Sequence, residues 1–150
     1  MPALSPRLAL LTFLQALIGV SATLCGLGLV ADPSGAVLGM SPTLLVRSPF
    51  ETFLIPGLVL TAVVGLGHLV GATLTLTRRD EAVAAALCLG VVLCGWIGAQ
   101  WLWLTDTLWL QPVIFCVGLS ELGLALVQAR PRRDDRPSAS AMATPRAPRR

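Results

Sequence analysis

Four long apolar runs, at about residues 8–30, 53–76, 82–104 and 108–129, alternate with short polar segments along this chain. Each exceeds the roughly 20 residues that a helix needs to cross a bilayer core at about 1.5 Å per residue. None carries the polar stripe at helical spacing that a soluble bundle would turn to water. The pattern predicts an all-α fold, a four-transmembrane-helix antiparallel bundle with up-down connections and left-handed packing, over residues 1–129. The first run is too long for the core of a signal peptide, and no small-x-small cleavage site follows it cleanly, so it is read as a span.

Small residues inside the runs predict where helices meet closely. Span 1 carries Gly19, Gly26 and Gly28, and span 2 carries Gly65, Gly67 and Gly71. Gly67-x-x-x-Gly71 matches the close-packing motif of helices in lipid, and this face either packs within the bundle or forms a homodimer. Pro6 after Ser5 opens span 1. Asp32-Pro33-Ser34-Gly35 reads as a tight turn, and Ser41-Pro42 as the start of a short interfacial helix reaching Arg47. Ser48, Pro49 and Glu51 have capping-box spacing and predict that span 2 begins there, with a kink at Pro56-Gly57. Thr105-Asp106-Thr107 is a short hairpin, with Asp106 as the cap of span 4.

Composition sharpens the membrane reading. Charged residues make up 13% of the chain and hydrophobic residues 55%; a soluble domain has about 25% charged residues. There is no lysine, and the arginines fall unevenly. Arg7, Arg78, Arg79 and the arginines after residue 129 lie on one side, and Arg47 alone lies on the other. The positive-inside rule then places both termini in the cytoplasm of a protein of the cell inner (plasma) membrane, in agreement with an even span count. Residues 130–150 hold seven arginines, four prolines and two acids, and are expected to form a disordered basic tail drawn to anionic membrane lipid. A nucleic-acid partner is not expected, because membrane anchoring and orientation already account for this charge.

Polar residues within the spans are the candidate chemistry. A carboxylate deep in a bilayer is costly and normally faces a bundle interior. Glu121 lies about 4 Å from the centre of span 4, His68 about 5 Å from that of span 2 and Gln15 about 6 Å from that of span 1, all toward the cytoplasmic side. Three helices thus bring polar groups to one level. They suit the floor of a ligand site, a proton relay, or hydrogen-bonded glue within the core. Gln100 and Gln111 form a second level about 10 Å outward of the midplane. With Arg47, Glu51 and the tryptophans Trp96, Trp101, Trp103 and Trp109 they would line an outward vestibule; an interfacial aromatic belt is the simpler account of the tryptophans. No metal site is expected, because one His and one Glu supply only two ligands, and a haem would need a better axial set. Cys25, Cys88, Cys94 and Cys116 form no C-x-x-C pair and read as small hydrophobes in helix packing, with a Cys94–Cys116 pair as the alternative. Phosphate loops, dinucleotide fingerprints and hydrolase signatures are absent.

The stretches "DPSGAVLGM" at 32–40, "SPFETFLIPGLVL" at 48–60, "WIGAQ" at 96–100 and "WLQPVIFCVGLSE" at 109–121 give the chain its resemblance to small bacterial four-span proteins of the DoxX-like type. That resemblance implies a four-span fold and involvement in redox or membrane-associated processes; it brings no functional residues. The four-span quinone-coupled thiol oxidases and vitamin K epoxide reductases use a C-x-x-C pair that this chain lacks. The leading expectation is a membrane protein that binds a small or lipid-like molecule at the buried polar cluster, as in a transporter component. The alternatives are a redox enzyme or subunit using a hydrophobic cofactor such as a quinone, and a structural subunit of a membrane complex. A homo-oligomer or a membrane protein partner fits any of the three.

Overall fold

The computed structural model describes residues 5–106 and 108–129, and the expected basic tail at 130–150 lies outside the described residues. Four long helices carry the fold: α1 (Pro6–Ala31), α2 (Leu54–Leu76), α3 (Ala82–Trp103) and α4 (Leu110–Ala129). All four are long and apolar enough to cross a membrane. No strand occurs among the described residues. Helix α1 packs on α2, α2 on α3, α3 on α4, and α4 back on α1. This closes a four-helix ring in which α2 and α4 stand on one diagonal. Apolar side chains such as Phe13, Leu24, Val70, Val91 and Leu102 point outward, as a lipid-facing surface requires.

The α1–α2 seam shows why glycine was needed. A Cβ on Gly57 would come within 2.7 Å of the Leu29 Cβ and 3.0 Å of the Gly26 carbonyl oxygen, and one on Gly19 would come within 2.9 Å of the Leu69 backbone nitrogen. Backbones this close maximise dispersion contact where no hydrophobic exclusion from water operates. Gly67 and Gly71 face Leu89 of α3, and Gly71 also faces Gln15. The glycine face of α2 therefore packs within the bundle.

Helix starts differ from expectation at two places. Ser48 does not cap α2. Its hydroxyl accepts from the Phe50 N–H at 3.2 Å and closes a local turn, and α2 begins only at Leu54. Pro56 then falls in the first helical turn, where its missing N–H costs nothing, so the expected kink there is replaced by a π-helical stretch over Leu60–Leu66. Asp106 lies too far from Leu110 to cap α4; instead the Gln111 side-chain oxygen accepts from the Leu108 N–H at 3.1 Å. Other starts match. The Ser5 hydroxyl accepts from the Leu8 N–H at the head of α1, and a short 3-10 helix spans Pro42–Leu45, ending before Arg47.

The loop between α1 and α2 folds over one end of the bundle. Asp32 accepts from the Ser34 hydroxyl at 2.6 Å and from the Val37 N–H at 3.0 Å. These bonds hold its carboxyl below the usual range. Gly35 follows with φ of 82°, a left-handed position that glycine occupies without strain. Leu45 and Phe53 pack on Leu29, and the Thr105 N–H donates to the Leu44 carbonyl at 3.3 Å. This is the loop end; the opposite end, with the α2–α3 turn, the start of α1 and the end of α4, is called the termini end.

Candidate functional site

Buried polar groups and two cavities border one another along the bundle among the described residues. At the centre, His68 of α2 meets Glu121 of α4 across the diagonal, Nε2 to Oε2 at 3.3 Å, with both side chains fully buried. The His68 Nδ1 lies 2.7 Å from the Val64 carbonyl oxygen. A carbonyl can only accept, so Nδ1 carries a proton. Nε2 and Oε2 would then face each other as two lone pairs unless one of the two groups carries a further proton. Nε2 and both Glu121 oxygens have no hydrogen-bond partner among the described residues.

Gln15 is fully buried at the same level, but its bond goes elsewhere. Its Oε1 accepts from the Thr75 hydroxyl at 2.9 Å, and its Nε2 has no hydrogen-bond partner in the protein. Sequence reading missed Thr75. The available signal was spacing: Thr75 follows His68 by seven residues, two turns along the same face. Gln128 follows Glu121 by the same interval, and its Nε2 is buried and unpartnered. Thr12, one turn before Gln15, has an unpartnered buried hydroxyl. A cavity of about 440 Å³ at the termini end is lined by Thr75 and Gln128 together with Ser5, Arg78 and Arg79.

Toward the loop end the interior changes. Ile18, Ala22, Val64 and Leu93 form an apolar layer directly above the His68–Glu121 pair. Over it opens a cavity of about 500 Å³, lined almost wholly by apolar side chains. Its principal polar feature is Gln111, whose Nε2 donates to Gln100 Oε1 at 3.2 Å. Trp96 and Trp103 line it, and Trp103 is held edge-on by Phe50 at a centroid distance of 5.5 Å. Trp101 and Trp109 are exposed and turn outward, so the four tryptophans divide between wall and belt. Arg47 and Glu51 are exposed and contribute nothing to the lining.

The walls are uneven. Among lining residues next to the long helices, the exposed ones are Ser21 and Cys25 of α1 and Leu108 and Leu110 at the start of α4. Helices α1 and α4 touch at the termini end, through Leu11 and Ala125, and the exposure of the lining residues Ser21, Cys25 and Leu110 places a lateral gap between the two helices nearer the loop. The sequence-derived residues thus separate into two groups. Gln100 and Gln111 border the large cavity, whereas Gln15, His68 and Glu121 lie beneath its floor and outside its lining.

All four cysteines are free. Cys25, Cys88 and Cys116 are exposed on the outer faces and pack little, contrary to expectation. Cys94 alone sits in a helix seam, with its thiol 3.9 Å from the Phe115 carbonyl, and no Cys94–Cys116 bond forms. No three of His, Cys, Asp and Glu come together among the described residues. Comparison of the chain with family models, with curated proteins and with solved structures returns no match, and the DoxX-like resemblance rests on the four quoted stretches.

Proposed function

We propose that this is a multi-pass protein of the cell inner membrane, with cytoplasmic termini, that binds a small, mostly apolar molecule in the loop-end cavity. The cavity carries the reading. Its volume of about 500 Å³ falls within the 300–1,000 Å³ typical of small-molecule sites, and its walls are apolar with a few placed polar groups. The Gln100–Gln111 amide pair would meet one polar group of the ligand. The lateral gap between α1 and α4 favours a ligand dissolved in the bilayer, such as a lipid-like compound arriving from the outer leaflet. Binding of this kind suits a subunit that carries or presents a hydrophobic compound.

A second reading draws on Trp96 and Trp103, which give the cavity flat aromatic walls. They suit a planar ring such as a quinone headgroup, which would make the protein a redox subunit.

Native mass spectrometry after gentle extraction tests both, with wild type beside Cys25→Trp. Cys25 borders the gap and is exposed, so a large side chain there obstructs the cavity without disturbing the core. The expected result is a defined adduct on wild type that is lost in the variant. A quinone mass selects the redox reading. An adduct held equally by both proteins, or none on wild type, removes the cavity as the binding site.

A further inference from the structure

We propose that the His68–Glu121 pair is a proton-binding site that exchanges with water on the termini side of the membrane only. Nδ1 already carries a proton toward the Val64 carbonyl, and Nε2 and Oε2, 3.3 Å apart, leave room for the pair to share one more. Between this pair and the termini end lie buried polar atoms without a hydrogen-bond partner among the described residues: Gln15 Nε2, Thr12 Oγ1 and Gln128 Nε2. The Gln15–Thr75 bond lies among them, and Thr75 and Gln128 open into the termini-end cavity. Buried polar groups in this condition recruit water, which needs two to four polar partners, and this seam supplies them.

The opposite direction is dry. Ile18, Ala22, Val64 and Leu93 offer no polar side chain between the pair and the loop-end cavity. A proton leaving the axis therefore passes along water beside Gln15, Thr75 and Gln128 to the termini-end cavity. It leaves a neutral Nδ1–H histidine beside a carboxylate, and reprotonation reverses the step. No oxidant or second reactant is needed.

The surrounding charges are few. Helix α1 faces the pair with the neutral Gln15; its Arg7 is exposed at the termini end, and its Cys25 lies toward the loop end. Helix α3 brings the Cys94 thiol within electrostatic reach of Glu121. Arg78 and Arg79, from the α2–α3 turn, line the cavity through which the proton would leave.

Infrared difference spectroscopy on the full chain in lipid nanodiscs tests the proposal, with the Glu121 band assigned by its loss in Glu121→Gln. Transfer of wild type to deuterated buffer should shift that band at once. Thr75→Val and Gln128→Leu should each slow the shift by about tenfold or more, and Cys25→Trp should leave it unchanged. Reconstitution in oriented vesicles should show a response to a pH jump on the termini side alone. A band that ignores deuteration for hours overturns the proposal, because the proton is then sealed. So does exchange slowed by Cys25→Trp and by neither seam variant. The wild-type isotope and pH-jump measurements need no variant to fold; if Glu121→Gln is lost, carbon-labelled glutamate assigns the carboxyl region.

Discussion

The same four helices enclose two different interiors. Toward the loop end they separate around a cavity whose walls are apolar and whose polar atoms are largely bonded to one another. Toward the termini end α1 and α4 meet through Leu11 and Ala125, the interior holds a histidine, a carboxylate, two amides and two hydroxyls, several without a hydrogen-bond partner among the described residues, and the second cavity of about 440 Å³ opens beside them. A membrane interior normally reserves its polar residues for function or for specific pairing. The contrast teaches that the two ends differ in what lines them, apolar walls at the loop end and polar side chains at the termini end. The open end can hold an apolar molecule. At the polar end neither His68 nor Glu121 lines either cavity. One residue joins them: Val64 lines the cavity with its side chain and fixes the His68 ring with its carbonyl.

The largest effect should come from breaking the polar end. Glu121→Ala leaves His68 without the partner that shares its proton, and should destabilise the bundle by about 3 kcal/mol, measured by unfolding in mixed micelles. Glu121→Gln keeps a hydrogen-bonding side chain and should cost clearly less. If the two cost the same, the pair is no more than volume. Next comes the seam that both ends share. Gly57→Ala drives a Cβ onto Leu29 and the Gly26 backbone and should cost about 1–3 kcal/mol, whereas Gly98→Ala points into open space and should stay within about 0.5 kcal/mol. Equal thermal shifts for the two would deny the close approach. At the open end Gln111→Leu removes both the bond to Gln100 and the acceptor for the Leu108 N–H. It should cost about 1 kcal/mol and reduce the bound adduct seen by mass spectrometry.

The smallest effect concerns the loop over that end. The Asp32 carboxyl titrates below its ordinary value of 3.8 when folded. A depressed carboxylate contributes stability above its unfolded value and loses it as pH falls through the folded one. The loop should therefore hold its structure from neutral pH to about pH 4 and loosen only below that, as read from the backbone resonances of residues 32–37. Loosening near neutral pH would assign the loop's order to something other than this turn.

The spans were legible because their cause is long-range and simple. Twenty or more apolar residues without a polar stripe permit few other structures, and the observed ends fall within about two residues of those expected. The start of α2 was harder. Ser48, Pro49 and Glu51 satisfy a local capping rule, but the Ser48 hydroxyl is used two residues later in a turn, and local sequence does not say which use wins. Depth along each helix placed His68 and Glu121 at one level. It could not show that Gln15, at that level too, turns to Thr75, since that depends on rotation about each helix axis. Threonine in an apolar helix usually bonds to its own backbone, as Thr23 and Thr73 do here, and so Thr75 gave no local sign of a side-chain partner. The π-helical stretch left no mark in composition.

The diagonal pairing of His68 with Glu121 has a consequence for how the chain enters the membrane. Glu121 lies in α4, made after the helix that carries His68, and a charged residue at the centre of a span resists insertion by about 3 kcal/mol. By the time α4 leaves the ribosome, His68 has already been delivered on α2. The segment that carries the buried carboxylate thus arrives after its partner, and the three helices before it form its docking surface. Truncation before α4 would strand a buried histidine among three helices with an open side, a form that membrane quality control is built to recognise.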